Sequence, residues 1–73
     1  MDPGKRANRR LGKRIRQIRL EIGWSQEELA YEADIATVYL SGIERGVRNP
    51  TVASLVRITE AMEVTLSELF ENV

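Results

Sequence analysis

The chain has 73 residues with no cysteine and no histidine, and its 11 basic residues balance its 11 acidic ones. This length predicts one domain, and the composition excludes disulfides, thiolate chemistry and the commonest general base and metal ligand. With no apolar run near the roughly 20 residues that span a bilayer, and no secretory signal, we expect a cytoplasmic, non-enzymatic protein without membrane, metal or cofactor.

The first segment carries most of the positive charge. Residues 1–20 hold eight Lys or Arg and one acidic residue, whereas the remainder holds three basic and ten acidic residues. This polarity can place a basic surface against phosphates while the rest of the molecule stays acidic. A solvated basic helix face accounts for the same pattern, so charge alone leaves nucleic-acid binding open.

Residues 1–7 contain Pro3 and Gly4 and are predicted to form a flexible arm before a helical domain over 8–73. The first helix is predicted over about 8–22, with Asn8 as its cap and Gly23 as its stop. Apolar residues recur along it at steps of three and four, which predicts one buried stripe. The stripe consists of Leu11, Ile15, Ile18 and Ile22.

A capping box predicts the start of the second helix, because the Ser25 hydroxyl and the Glu28 carboxylate can each bond the other's backbone amide. Trp24 and Leu29 have the spacing of a hydrophobic staple across this cap, which favours a core role for the tryptophan over a base-stacking role. The second helix is predicted to end near Ala33.

The third helix is predicted over about 36–45, and its first residue, Ala36, lacks a capping oxygen. A fourth helix over about 52–62 is predicted to begin after the cap Thr51. Thr65 with Glu68 forms a second capping box before a fifth helix over about 66–72. The inward face of the fourth helix is predicted to contain Val52, Leu55, Val56, Thr59 and Met62. Every local signal agrees on a compact, all-α, five-helix domain.

The second and third helices have the pattern of a helix-turn-helix. Ala30 and Ala33 are small where two helices must cross closely, and Ile35 fills the corner between them. Leu40 and Ile43, three residues apart, give the third helix one buried face. A steep crossing with small residues at the contact is what this motif requires.

The sequence resembles the phage repressor and Cro type (XRE) of helix-turn-helix family over about residues 9–72. Within that family it looks most like the controller proteins of restriction-modification systems. The residues that carry the resemblance are Ser25-Gln26-Glu27-Glu28-Leu29-Ala30, Ile35, Tyr39-Leu40-Ser41-Gly42-Ile43-Glu44-Arg45-Gly46 and Arg48-Asn49-Pro50. The resemblance implies a sequence-specific DNA-binding transcription regulator of the repressor type, with its third helix in the major groove.

The resemblance and the helical geometry together assign site residues. Thr37 can exchange a hydrogen bond with a base edge, Val38 can contact a thymine methyl, and Gly42 permits close approach of the groove. Arg48 is expected at a neighbouring base. Expected at the DNA backbone are Gln26, Tyr39, Ser41, Asn49 and, from the exposed side of the first helix, Arg10 and Arg14.

The resemblance also implies an ion pair between Arg19 and Glu44 that joins the first helix to the third. We expect this pair to orient the helices, with a stabilisation on the order of 1 kcal/mol if it is partly exposed. Asp34 stands where the family usually has glycine, and asparagine or aspartate tolerates a positive φ less freely than glycine does.

The C-terminal segment carries more apolar residues than a small domain buries internally. We expect Leu66, Leu69, Phe70 or Val73 to be shared with a twofold mate. Such a homodimer would place two recognition helices about 34 Å apart on a pseudo-palindrome in double-stranded DNA. In the alternative, Phe70 simply closes the core of its own chain.

A second function class stays open on the sequence. The same fold serves in protein-interaction modules, such as antitoxins and bridging factors, in which DNA binding is secondary. There is no room for a separate sensing domain, so no small-molecule effector is expected. Glu27 and Glu28 are better explained by capping and the helix dipole than by acid-base chemistry.

Overall fold

The computed structural model describes residues 2–73, which form five helices and contain no strand. These are α1 (Pro3–Ile22), α2 (Gln26–Ala33), α3 (Thr37–Glu44), α4 (Val52–Met62) and α5 (Leu66–Leu69). Helix α2 packs on α4 and α3, α1 packs on α3, and α5 closes the end formed by α4 and α1. The predicted all-α, five-helix architecture is therefore confirmed.

Helix α1 begins at Pro3 and not near Asn8, so the boundary predicted for an N-terminal arm is wrong over residues 3–7. The Asp2 carboxylate accepts a hydrogen bond from the backbone amide of Lys5 at 2.9 Å and caps the helix. Proline is favoured in the first turn, where its missing amide hydrogen costs nothing. The Pro-Gly pair thus starts a helix here; Met1 lies outside the described residues.

The capping predictions for the later helices are confirmed. Ser25 and Thr65 each begin a helix with both hydrogen bonds of a capping box, and Thr51 accepts from the amide of Ser54 at 3.0 Å. Helix α3 has no side-chain cap at Ala36. Asp34 ends α2 with φ of 55°, so the left-handed turn forms without glycine.

The core lies where the four longer helices and α5 meet, and it is wholly apolar at its centre. Its buried apolar residues are Leu11, Ile15, Ile18, Leu29, Ala30, Ala33, Leu40, Ile43, Leu55, Ile58, Met62 and Leu69. Two predictions for α4 are wrong: Val52 is exposed and Val56 is only half-buried. Ile58 takes the central position instead, because the helix turns that side toward α2 and α1.

The backbone of α1 at Gly12 packs directly against the backbone at the end of α3. A Cβ atom at Gly12 would lie 2.5 Å from the carbonyl oxygen of Glu44 and 2.8 Å from its carbonyl carbon. No real Cβ is tolerated at that distance from a backbone, so only glycine allows this crossing. The last turn of α3 is therefore held directly against the middle of α1.

Candidate nucleic-acid interface

Helix α3 is buried on one side and open on the other. Leu40 and Ile43 are enclosed in the core, whereas Val38 is 74% exposed and Thr37 and Ser41 are half-buried. The half of α3 that contains Thr37 and Val38 therefore offers a hydroxyl and a branched apolar group to whatever lies outside the molecule.

Gly42 lies beneath the side chain of Arg48 and not on an open surface. A Cβ at Gly42 would lie 3.3 Å from the Cβ of Arg48 and still closer to its Cγ. The backbone amide of Arg48 also donates to the Gly42 carbonyl at 3.2 Å. The expectation that Gly42 lets the groove approach α3 is not supported here, because that space holds the aliphatic part of Arg48, a residue that is itself exposed.

Arg19 and Glu44 form a buried ion pair that joins α1 to the end of α3. Arg19 Nε donates to Glu44 Oε2 at 2.8 Å, and Nη2 donates to Oε1 at 2.9 Å. Hydrogen bonding to the Glu44 carboxylate raises the pKa of Arg19, against the opposing effect of burial. The half-buried Gln26 donates from Nε2 to the same Oε1 at 3.0 Å. One carboxylate thus connects α1, α2 and α3.

Tyr39 connects α3 to the start of α4. Its hydroxyl oxygen accepts from the backbone amide of Thr51 at 3.1 Å. A hydrogen bond with Ser54 lowers the pKa of Tyr39, with further lowering from Thr51 and from the nearby charge of Arg48. The ring itself packs on the core, so this side chain holds the loop after α3 in place.

That loop is also attached to α1. The side-chain amide of Asn8 donates to the side-chain oxygen of Asn49. The backbone of Arg9 packs on Gly46, where an added Cβ would lie 2.7 Å from Arg9 Cγ and 2.8 Å from its Cα. Asn49, expected at the DNA backbone, is thereby fixed beside the first turns of α1.

Arg10 and Arg14 lie on a different side of α1 from the loop. The Arg14 guanidinium donates to the backbone oxygen of Glu68 at 3.0 and 3.3 Å. Both arginines line a cleft with Glu71 and the two residues that follow it. The structure therefore gives no support to the DNA-backbone contacts expected of Arg10 and Arg14, since Arg14 is bound to the C-terminal segment and Arg10 lines the same cleft.

The C-terminal apolar residues divide between core and surface. Leu69 is fully buried within its own chain, so its assignment to a dimer interface is wrong. Leu66 and Phe70 are 40% and 46% exposed, and Val73 is half-buried against the core. The exposed apolar patch of this end consists of Leu66 and Phe70, with Val73 at its edge.

Sequence reasoning missed the residues of α1 that face the loop. Asn8 was assigned to a cap and Arg9 to general basic charge, because their partners Asn49 and Gly46 are distant in sequence. A usable signal was Gly12, since a glycine in the middle of a helix often marks a close approach. The surface formed by α3, the loop and these turns carries hydroxyl, amide and guanidinium groups that suit phosphates and base edges.

Other kinds of site find no support in the described part of the chain. Residues 2–73 contain no group of acidic side chains arranged to hold a metal ion. None of the helices formed by those residues is both long and apolar enough to cross a membrane.

Comparison with known proteins identifies the family. The model of the helix-turn-helix family matches residues 15–69. The control protein C.BamHI of Bacillus amyloliquefaciens is 41% identical over 61 residues, which cover 82% of this chain and 75% of that protein.

Two solved structures show the same fold. The restriction-modification controller protein C.AhdI of Aeromonas hydrophila superposes with a TM-score of 0.85 at 33% identity, over 86% of this chain and 96% of that one. The controller protein C.Esp1396I, solved as a tetramer on its natural 35-base-pair operator, superposes with a TM-score of 0.82 at 41% identity, over 90% and 87% of the two chains. The chain therefore belongs to the helix-turn-helix family, and it is a non-enzymatic, DNA-binding transcription regulator similar to the controller proteins of restriction-modification systems.

Proposed function

We propose that the chain is the controller of a restriction-modification system and binds a pseudo-palindromic operator as a homodimer. In this proposal α3 enters the major groove and α2 crosses the sugar-phosphate backbone above it. A protein that regulates transcription in this way works where the chromosome is, which for a bacterial host is the cytoplasm.

The observation that carries the proposal is the contrast between the two sides of α3. On the side that faces the core, Ile43 and the Arg19–Glu44 ion pair are buried. On the opposite side, Val38 is largely exposed. A helix braced on one side and open along the other can enter a groove about 12 Å wide without rearranging the protein.

Base contacts are assigned to Thr37, Val38 and Arg48. Arg48 has the strongest potential for discrimination, because a guanidinium can donate two hydrogen bonds to a guanine. Thr37 stands where controller relatives often carry a basic residue, so this chain has fewer strong direct contacts and relies more on DNA shape. Backbone contacts are assigned to Gln26, Tyr39, Ser41 and Asn49. Hydrogen bonds to other parts of the fold hold Gln26, Tyr39 and Asn49, which supports this assignment.

Dimerisation is assigned to the patch of Leu66 and Phe70, with Val73 at its edge. Exposed apolar groups of this size at one end of a 73-residue chain favour association, because a domain this small gains stability by burying them. The tetramer of C.Esp1396I on its operator supports an assembly of several copies on DNA.

A salt and sequence titration tests the proposal. The DNA upstream of the coding region and a scrambled duplex of equal composition are titrated by fluorescence anisotropy between 50 and 300 mM salt. We expect preference for the upstream DNA and a steep fall of affinity with salt. Thr37→Ala and Arg48→Ala should reduce the preference while circular dichroism shows an unchanged fold. Salt-insensitive behaviour without a shift on either duplex would reject the regulator and favour a protein-interaction module.

A further inference from the structure

The first two turns of α1 form a basic cleft beside the loop that follows α3. The cleft has a volume of about 380 Å³ and contains two cations and no acidic side chain. Its lining consists of Lys5, Asn8, Arg9, Gly46, Val47 and Asn49. Lys5, Asn8 and Arg9 precede residue 15, where the match to the family model begins, whereas the loop residues of the cleft lie within that match.

We infer that Lys5 and Arg9 form a second contact with the DNA backbone, outside the footprint of α3. This inference rests on the proposed operator binding and adds a phosphate site to it. The ligand is the sugar-phosphate backbone of the same duplex, on the flank of the bases that α3 reads.

The availability of the two charges supports this role. Within residues 2–73 neither the Lys5 ammonium nor the Arg9 guanidinium has an ion pair or hydrogen bond, and both side chains are exposed. Arg14 on the other side of α1 is instead bound to the carbonyl of Glu68. Lys5 and Arg9 can therefore meet a phosphate without breaking an existing interaction.

The position of the cleft is fixed relative to α3. Gly12 joins α1 to the last turn of α3, and Arg9 rests on Gly46 in the loop. Arg48, whose side chain covers Gly42, comes from that same loop. Lys5 lies seven positions before Gly12, so at 1.5 Å per residue the basic end of α1 projects about 10 Å beyond the crossing.

The order of this segment also favours binding. The Asp2 cap and the proline in the first turn make residues 3–10 helical, so the two side chains stand one helical turn apart on one face. A disordered arm would lose more backbone entropy on binding than a segment that is already helical.

The experiment compares two double variants that remove equal charge from α1. Lys5→Gln with Arg9→Gln removes the cleft cations, and Arg10→Gln with Lys13→Gln removes two exposed cations that line the separate cleft beside Glu71. Glutamine is a good helix former and keeps the Cγ of Arg9 that packs on Gly46. Circular dichroism should show equal helix content in both variants and the parent chain.

The measured quantity is the slope of log K against log salt on the upstream duplex. Each lost phosphate contact should reduce the slope by about 0.9, so a dimer that loses four contacts should show a reduction of about 3.6. The cleft variant should lose the same factor of affinity for specific and scrambled DNA, because phosphates carry no sequence information. The slope of the matched variant should change by less than about one.

Trimming the duplex one base pair at a time from its ends gives a second readout. When trimming removes the phosphates that Lys5 and Arg9 contact, the parent chain should lose affinity. The cleft variant has already lost these contacts and should show no further loss at that length. Equal slope changes in the two double variants, or an unchanged slope for Lys5→Gln with Arg9→Gln, would overturn the inference and leave the operator proposal intact. A parent chain that binds no DNA would overturn both.

Discussion

Arg19 and Glu44 are joined through two nitrogen and two oxygen atoms in a site that water hardly reaches. The side chains retain 7% and 2% of their exposure, and Arg19 Nη1 donates in addition to the carbonyl of Trp24 at 2.7 Å. The value of about 1 kcal/mol that fits an exposed pair therefore does not apply, because each charge depends on its partner for solvation.

Removing one member of this pair should cost far more than removing both. Glu44→Ala leaves a buried guanidinium without a counter-charge and should lower the free energy of unfolding by about 3–5 kcal/mol. The double variant Arg19→Met with Glu44→Leu should cost less, because no charge remains buried. Urea denaturation followed by circular dichroism measures both, and a loss below 1 kcal/mol for Glu44→Ala would contradict the buried-pair interpretation.

Gly42→Ala should separate stability from DNA binding. Alanine is favoured over glycine inside a helix by about 1 kcal/mol, so the fold should hold or gain stability. The new methyl group would displace Arg48, and DNA affinity should fall by the same amount as is expected for Arg48→Ala, about 1–3 kcal/mol.

A double-mutant cycle decides the role of Gly42. If it acts through Arg48, the double variant Gly42→Ala with Arg48→Ala binds DNA no worse than Arg48→Ala alone. Additive losses would restore the direct groove contact that the family resemblance implied. Both affinities are measured on the same duplex at one salt concentration.

Gly12→Ala should destabilise the fold, since its methyl group would collide with the backbone of α3. Overpacking of this kind costs about 1–3 kcal/mol, and here the gain in helix propensity offsets only part of it. Gly4→Ala is the matched control, because the nearest atom to its added Cβ is Asp2 Oδ1 at 3.3 Å. Equal urea midpoints for the two variants would show that the crossing can open without cost.

Substitutions at the neighbouring residues Leu69 and Phe70 should have different effects, the first on folding and the second on dimerisation. Leu69→Ala creates a cavity in the core and should lower the free energy of unfolding by about 2–5 kcal/mol. Phe70→Ser should leave the monomer fold intact and raise the dimer dissociation constant at least tenfold. Sedimentation equilibrium and thermal unfolding at several protein concentrations distinguish these outcomes; a dimer unaffected by Phe70→Ser would place the interface elsewhere.

The two capping boxes should make the stability of the fold depend on pH in the acidic range. The backbone amide of Ser25 and then its hydroxyl lower the pKa of Glu28, and Thr65 does the same for Glu68. Carboxylates with a lowered pKa in the folded state stabilise it above about pH 4.3, the ordinary glutamate value, and lose that contribution as pH falls through the lowered pKa.

The variant Glu28→Gln with Glu68→Gln tests this dependence. Its melting temperature should lie below that of the parent chain at pH 7, and the gap should narrow as the pH falls below about 4.3 and through the lowered pKa values. Thermal melts at half-unit steps give the comparison. A gap that stays constant across this range would mean that the carboxylate charges do not stabilise the helix starts.

The sequence was a good guide to structure that depends on near neighbours. Ser25, Thr51 and Thr65 could be assigned as caps because each bonds an amide three residues away. The same local view misled at Pro3, where a proline followed by glycine indicated an arm although an aspartate cap stands before it. The difference lies in one residue, Asp2, whose role shows only when proline is considered as a first-turn residue.

Functional positions were harder to predict wherever a partner is distant in the chain. Arg14 bonds Glu68 across 54 positions and Asn8 bonds Asn49 across 41. No helical periodicity reports which side of α1 meets which end of the molecule, so the sequence did not show that Arg14 is bound to the C-terminal segment. Gly42 was assigned from family likeness, which describes a backbone position without saying which side chain of this protein covers it.

The backbone contact at Gly12 gives the angle between α1 and α3 very little freedom. On a duplex with a wider or narrower groove, α3 and the N-terminal end of α1 could not both keep their contacts. If α3 fitted the groove, the N-terminal end of α1 would lie away from the DNA backbone, and if that end kept its contact, α3 would fit poorly. The affinity of the protein would then depend on the groove geometry of the duplex as well as on its base sequence. Two operators with the same central bases but flanking steps of different stiffness would be bound with different strength.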